Sequence, residues 1–131
     1  MELEKFIKIV TRIKKRLGAP ILIIELTDEH YQEAVDTAEE SFAMFSQASL
    51  KTPTQLEKIR DTWIFQYSLA ICKEMLGRIR GKFEKAKTPD GDLALDFKAL
   101  LKESENEKNF LFRVCMSNSV EGFVLLNRKN V

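Results

Sequence analysis

The sequence predicts an all-α protein: a helical bundle of about four helices with one long central helix, and minor extended segments near residues 21–26 and 121–127. Three observations support this fold class. Apolar residues recur at steps of three and four along most of the chain, which is the spacing of a helix face. Residues typical of helix ends separate these stretches. The 131 residues include only 5 Gly and 3 Pro, a composition that does not suit a loop-rich protein.

Residues 3–17 form the first predicted helix, because their apolar positions share one face. Gly18 follows as the expected C-terminal cap. The mostly β-branched run over residues 21–26 predicts either a short strand or a buried connector. Thr27 is the expected N-cap of a second helix over residues 28–46, which has acidic residues in its first turn and along its outer face.

The third predicted helix is the long one, over residues 54–85. Capping-box spacing begins at both Thr52 and Thr54. The apolar stripe of this helix is broad, so we expect it to be central and contacted on more than one side. Gly77 and Gly81 lie one turn apart within it, which predicts either the close approach of a neighbouring backbone or a bend.

The fourth predicted helix covers residues 97–115, with Asp96 as its N-cap and a brief extended piece over residues 92–95. Its middle, residues 102–109, is almost entirely polar and is expected to be solvated. The pattern breaks near residue 117, so the sequence predicts one helical domain over residues 1–116 and a C-terminal tail over 117–131. The tail carries an apolar run that we expect to dock on a partner or on the chain itself: Phe123, Val124, Leu125 and Leu126.

The net charge of +1 hides four blocks of different sign. Residues 1–17 carry +4, residues 18–50 carry −7, residues 51–87 carry +5 and residues 88–131 carry −1. Two interpretations stay open: the blocks are solvated faces that attract one another within the fold, or a positive face of one copy meets a negative face of the next. The near-neutral total argues against a non-specific nucleic-acid binder, which carries a basic excess.

The sequence has no motif for catalysis, for a metal or for a cofactor. His30, the single histidine, is expected to be half-buried or at the surface. Cys72 and Cys115 have no metal-ligand spacing and are expected to be buried thiols in a reducing compartment. We therefore expect no enzymatic activity, no metal and no cofactor. No apolar stretch approaches the roughly 20 residues that span a bilayer, so we expect no membrane contact.

Basic residues crowd the end of the third helix, namely Arg78, Arg80, Lys82 and Lys85. Such a run is typical of a solvated helix end, because a helix C-terminus favours cations. It is also typical of a nucleic-acid surface, or of weak contact with DNA that passes through a pore. The pattern alone does not choose among the three.

The stretch from Trp63 to Lys108 resembles small virion structural proteins of bacteriophages with contractile tails. The similarity includes WIFQYSLA at 63–70, LGRIRGKF at 76–83 as its most specific part, and, after a Pro/Gly turn, LD at 95–96, LLKE at 100–103 and EK at 107–108. An earlier segment, IELTD at 24–28, fits the same group. Within that group the architecture is similar to head–tail connector proteins, also called neck or adaptor proteins. The chain departs from them after Lys108, where it is more apolar.

The resemblance implies a homo-oligomeric ring, commonly of about twelve copies, that joins portal to tail around the DNA channel. It implies a virion location after assembly in the host cytoplasm, with portal, tail or neck proteins as partners and non-specific contact with packaged DNA. Under this reading Arg78, Arg80, Lys82 and Lys85 face the channel or an adjacent ring. Three acidic residues, Glu33, Asp36 and Glu40, face a basic neighbour.

Two alternatives stay open. The first is another virion part, such as a baseplate or tail-completion protein, which only the position in the particle separates from a neck protein. The second is a small helical nucleic-acid-binding protein, which predicts salt-sensitive DNA binding by the monomer.

Overall fold

The computed structural model describes residues 2–85 and 92–117, with the side chains of residues 83–85 and 92–96 outside the description. Four helices make up nearly all of this part of the chain: α1 (Leu3–Leu17), α2 (Asp28–Ala48), α3 (Pro53–Lys85) and α4 (Asp92–Met116). No strand occurs in the described residues. The predicted all-α bundle with one long helix is therefore confirmed.

Two predicted helix ends are confirmed, and in both cases hydrogen bonds between residues close in sequence determine them. Gly18 adopts a left-handed conformation with φ of 111°, and the amides of Gly18 and Ala19 donate to the carbonyls of Lys15 and Lys14. At the start of α3, the Gln55 amide donates to the Thr52 hydroxyl at 3.2 Å, and the Thr52 amide donates to the Gln55 side chain at 2.9 Å. This capping box selects the first of the two spacings seen in the sequence.

Two predictions about connecting segments differ from the structure. Residues 21–26 form a turn and an irregular connector rather than a strand, and Ile21 and Ile23 are 91% and 86% exposed rather than buried. The described residues offer this β-branched segment no partner strand, so its propensity is not realised. Helix α4 begins at Asp92 instead of after Asp96, because the intervening Leu-Ala-Leu residues are strong helix formers.

Helix α3 is the central element and packs against each of the other three helices. One core cluster lies where its first half meets α2 and the end of α4, around the fully buried Trp63. The other lies where its middle meets α1 and the start of α2, around Phe65 and Cys72. The prediction that α3 is contacted on more than one side is confirmed.

Helices α3 and α4 form an antiparallel pair, tied along its length by contacts between residues distant in sequence. The Trp63 indole nitrogen donates to the Leu111 carbonyl at 2.8 Å. About two turns further along α3, the Ala70 carbonyl accepts from the Ser104 hydroxyl at 2.6 Å. Ser104 is buried, so the polar middle of α4 is not simply solvated as expected.

The two glycines of α3 lie where α4 approaches closely. A Cβ at Gly77 would stand 3.0 Å from the Leu101 side chain and 3.1 Å from the Phe97 carbonyl oxygen. A Cβ at Gly81 would stand 3.1 Å from the Phe97 ring. Of the two sequence interpretations, the structure supports the close approach of a neighbouring helix.

Candidate interaction surfaces

The outer face of α2 carries a straight row of four exposed carboxylates: Glu29, Glu33, Asp36 and Glu40. They recur at steps of three and four, so they share one helix face, opposite the face that buries Tyr31, Ala38 and Phe42. We call this row the acidic stripe. The Asp36 carboxylate accepts a hydrogen bond from the Gln32 amide at 2.9 Å. The structure thus places the three predicted acidic residues together with Glu29 on one exposed face.

The neighbouring Glu39 has a different position from the acidic stripe. Its side chain is 23% exposed and pairs with the Arg60 guanidinium of α3 at 3.3 Å. Part of the negative charge of residues 18–50 is therefore neutralised within the subunit, while the acidic stripe points away from the bundle.

Helix α1 carries a complementary row of exposed basic residues, which we call the basic face: Lys5, Lys8, Arg12, Lys15 and Arg16. The guanidinium of Arg12 lies 4.0 Å from the centre of the Phe65 ring on α3, a cation–π contact. Arg16 lies at 5.9 Å from the same ring. Sequence reasoning noted the +4 block but did not single out these residues; their spacing of three and four was the available signal.

The basic run at the end of α3 is divided in the structure. Arg78 is 70% exposed and pairs with Glu74 one turn earlier at 2.8 Å. Arg80 is only 12% exposed, and its Nε donates to a Glu25 carboxylate oxygen at 2.8 Å. Lys82 is exposed, and the Lys85 side chain lies outside the description. Arg78 and Lys82 are thus open to a partner, whereas Arg80 anchors the connector between α1 and α2.

The ion pairs between α3 and α4 are more sheltered. The Lys73 ammonium, 15% exposed, lies 2.7 Å from Glu107 and 3.4 Å from Glu103. The Lys108 ammonium of α4 pairs with Glu74 of α3. These charges hold the helix pair together and leave little for a partner.

Several large apolar side chains are exposed, including Leu3 and Ile7 on α1 and Met44 on α2, and two further regions stand out. The first is the connector after α1, where three consecutive residues, Ile21, Leu22 and Ile23, face solvent. The second lies beside the end of α4 and includes Leu50 at 73% and Phe112 at 45% exposed. The Leu50 amide donates to the carbonyl of Met116, the last residue of α4, at 3.3 Å. The predicted docking residues Phe123, Val124, Leu125 and Leu126, and the predicted extended segment at 121–127, lie outside the described residues.

The single histidine and the two cysteines lie in α2, α3 and α4, where their surroundings are as follows. The Nδ1 of His30 accepts from the Thr27 amide at 2.9 Å, and the Thr27 hydroxyl accepts from the His30 amide, so the histidine completes a cap of α2. Burial raises the pKa of the Cys72 thiol to about 12 and also raises that of Cys115. Both thiols are free and buried, as the sequence predicted. Among the described residues, no group of His, Cys, Asp and Glu has the arrangement of a metal site.

None of the helices in residues 2–85 and 92–117 has a stretch long and apolar enough to cross a membrane.

Comparison with protein families gave a match that begins at residue 51 and ends at residue 123. A family described as bacteriophage T4 neck protein gp13 matches residues 51–123, more than half of the sequence. The chain belongs to this family. Comparison with curated proteins and with solved structures gave no match.

Membership identifies the chain as a structural component of the neck of a phage virion, where it contacts other virion components. The match confirms the resemblance to neck and connector proteins noted in the sequence. It begins at the start of α3, covers the whole α3–α4 pair and extends beyond the described residues. Helices α1 and α2, which carry the basic face and the acidic stripe, precede the matched segment.

Proposed function

We propose that the protein forms a homo-oligomeric ring, commonly of about twelve copies, that joins portal to tail around the DNA channel. The match to the neck family over residues 51–123 carries this proposal. A ring needs two different, complementary surfaces on each subunit. The acidic stripe and the basic face meet that requirement, since they have opposite charge and lie on different helices.

The proposed partners are the portal and the tail or other neck proteins, with assembly in the host cytoplasm before the virion is complete. Weak, non-specific contact with packaged DNA is part of the proposal, with Arg78 and Lys82 as the contacting side chains because both are exposed. Arg80 contributes through its anchorage to Glu25 rather than through direct contact.

The proposed domain organisation assigns residues 1–116 to the helical connector domain and 117–131 to a tail that docks on a partner. Leu50 and Phe112, which are exposed beside the end of α4, support the docking of the tail. They offer apolar surface close to residue 117, where the tail begins. Deletion of residues 117–131 should leave the bundle folded and prevent assembly. A truncated protein that assembles normally with its partners would contradict the docking role.

We also propose that the protein has no enzymatic activity. The arrangement of its reactive groups supports this: His30 is engaged in a helix cap, and the raised pKa of Cys72 keeps its thiol protonated near neutral pH.

The decisive experiment is cryo-electron microscopy of the intact particle with the chain fitted to the density. We expect copies of the α3–α4 pair in a closed ring between portal and tail. Density at the baseplate would overturn the proposal. DNA binding by the purified monomer that weakens with salt and on R78A/K82A substitution would instead favour the nucleic-acid-binding alternative.

A further inference from the structure

We infer that the acidic stripe of α2 in one copy docks on the basic face of α1 in a second copy of this chain. The inference rests on the proposed ring and names the two surfaces that join its subunits.

The first argument is where the charges find partners inside the subunit. The side-chain ion pairs of residues 2–85 and 92–117 lie within α3, as in Arg78–Glu74, or connect α3 with α4, α2 or the connector, as in Lys73–Glu107 and Arg80–Glu25. Within that part of the chain, no ion pair includes Lys5, Lys8 and Lys15 of the basic face, or the four carboxylates of the acidic stripe. The acidic stripe and the three lysines of the basic face therefore keep their charge without an ion-pair partner in the isolated subunit, at opposite sign.

The second argument is dimensional. The acidic stripe runs from Glu29 to Glu40 and the basic face from Lys5 to Arg16, and each spans eleven residues. At the rise of an α-helix, both rows are about 16.5 Å long. The four carboxylates therefore face a row of cations of equal length, so two helices laid side by side can bring opposite charges together along the contact.

The third argument concerns the identity of the partner. An acidic stripe repels nucleic acid, so DNA does not suit it. A basic face of matching length occurs on the same polypeptide, and a joint between two different surfaces of identical subunits is head-to-tail, which closes into a ring or extends as a filament. A second copy thus satisfies both surfaces at once.

The test is charge reversal on each surface of the full-length protein, with assembly measured by sedimentation velocity over a range of protein and salt concentrations. The variant K5E/K8E/K15E reverses the basic face, and E33K/D36K/E40K reverses the acidic stripe. The matched control for the basic-face variant is K58E/K98E/K102E, which makes the same change in net charge at three exposed lysines on α3 and α4. Circular dichroism checks that each variant keeps its helices, and K5Q/K8Q/K15Q replaces the first variant if it does not fold.

We expect the basic-face variant to assemble at least about tenfold more weakly than its control, and the acidic-stripe variant at least about tenfold more weakly than wild type, because like charges then face each other. A mixture of the two variants should recover assembly, since the reversed α1 of one matches the reversed α2 of the other. Surface variants that assemble as tightly as the control would overturn the inference and leave the ring standing. A wild-type protein that stays monomeric at every concentration would contradict the ring itself, and the inference with it.

Discussion

The indole nitrogen of Trp63 donates a hydrogen bond to the carbonyl oxygen of Leu111 at 2.8 Å, and the tryptophan is fully buried. The same ring stacks on Tyr67, with centroids 4.7 Å apart and planes 8° from parallel. Phe42 approaches it from α2, with ring centroids 5.2 Å apart. One side chain therefore joins α2, α3 and α4.

We expect Trp63→Ala to lower the free energy of unfolding by about 3–5 kcal/mol, because it removes a buried aromatic ring and leaves a cavity. Urea denaturation followed by circular dichroism measures the change. Ile21→Ala is the control: this side chain is 91% exposed, and its loss should cost less than about 0.5 kcal/mol. Equal effects at both sites would contradict the central position of Trp63.

The close approach at Gly77 predicts that larger residues destabilise the α3–α4 pair. Valine adds a Cβ that would stand 3.1 Å from the Phe97 carbonyl oxygen, a backbone atom that cannot move aside. We expect Gly77→Val to cost about 1–3 kcal/mol of stability. Ala99→Val introduces the same side chain at an exposed position of α4 and should cost less than about 1 kcal/mol. Thermal unfolding of both variants gives the comparison, and a Gly77→Val protein as stable as wild type would refute the tight contact.

The ion pairs of Lys73 and of Arg78 on α3 should differ in strength because the two side chains differ in exposure. Lys73→Met removes a sheltered ammonium from Glu103 and Glu107, and we expect a loss of about 1–2 kcal/mol. Arg78→Met breaks a pair whose arginine is 70% exposed, and the loss should stay below about 0.5 kcal/mol. Denaturant titrations at low and high salt distinguish them. A larger loss at Arg78 would show that exposure does not determine these energies.

The buried thiol of Cys72 predicts how stability depends on pH. Its pKa is about 12 in the folded state, against an ordinary value of 9.0. Above pH 9 the unfolded chain releases this proton while the folded protein keeps it. The contribution of this thiol to stability is therefore fully present below pH 9. The free energy of unfolding falls by about 1.4 kcal/mol per pH unit as the pH rises from 9 toward 12. Cys72→Ala should show a shallower decline than wild type between pH 9 and 11; parallel curves would mean that the thiol titrates normally in the folded protein.

The sequence predicted the helices because periodicity and caps are local signals. Thr27, Thr52 and Gly18 each fix a helix end through contacts with residues no more than five positions away. The strand that the sequence allowed over residues 21–26 does not form. β propensity is realised only beside a partner strand, and the presence of that strand depends on the tertiary fold.

The candidate interaction surfaces were less predictable from the sequence than the helices were. The acidic stripe follows from spacing alone, so Glu33, Asp36 and Glu40 were found on one exposed face. The division of the basic run was not predictable, because the partner of Arg80 lies 55 residues away at Glu25. The basic face was missed because a row of cations has the same pattern whether it is solvated or faces a partner.

The ion pair between Glu25 and Arg80 bears on the curvature of the proposed ring. Glu25 lies in the connector that leads from α1 to α2, so its attachment to Arg80 ties that connector to the far half of α3. In the proposed interface, α1 of one subunit contacts α2 of the next. The tilt of α1 against the rest of its own bundle therefore sets the angle between consecutive subunits. That angle determines how many copies close the circle. A single exchange such as Glu25→Gln is therefore expected to change the diameter of the opening at the centre, with the helices themselves intact.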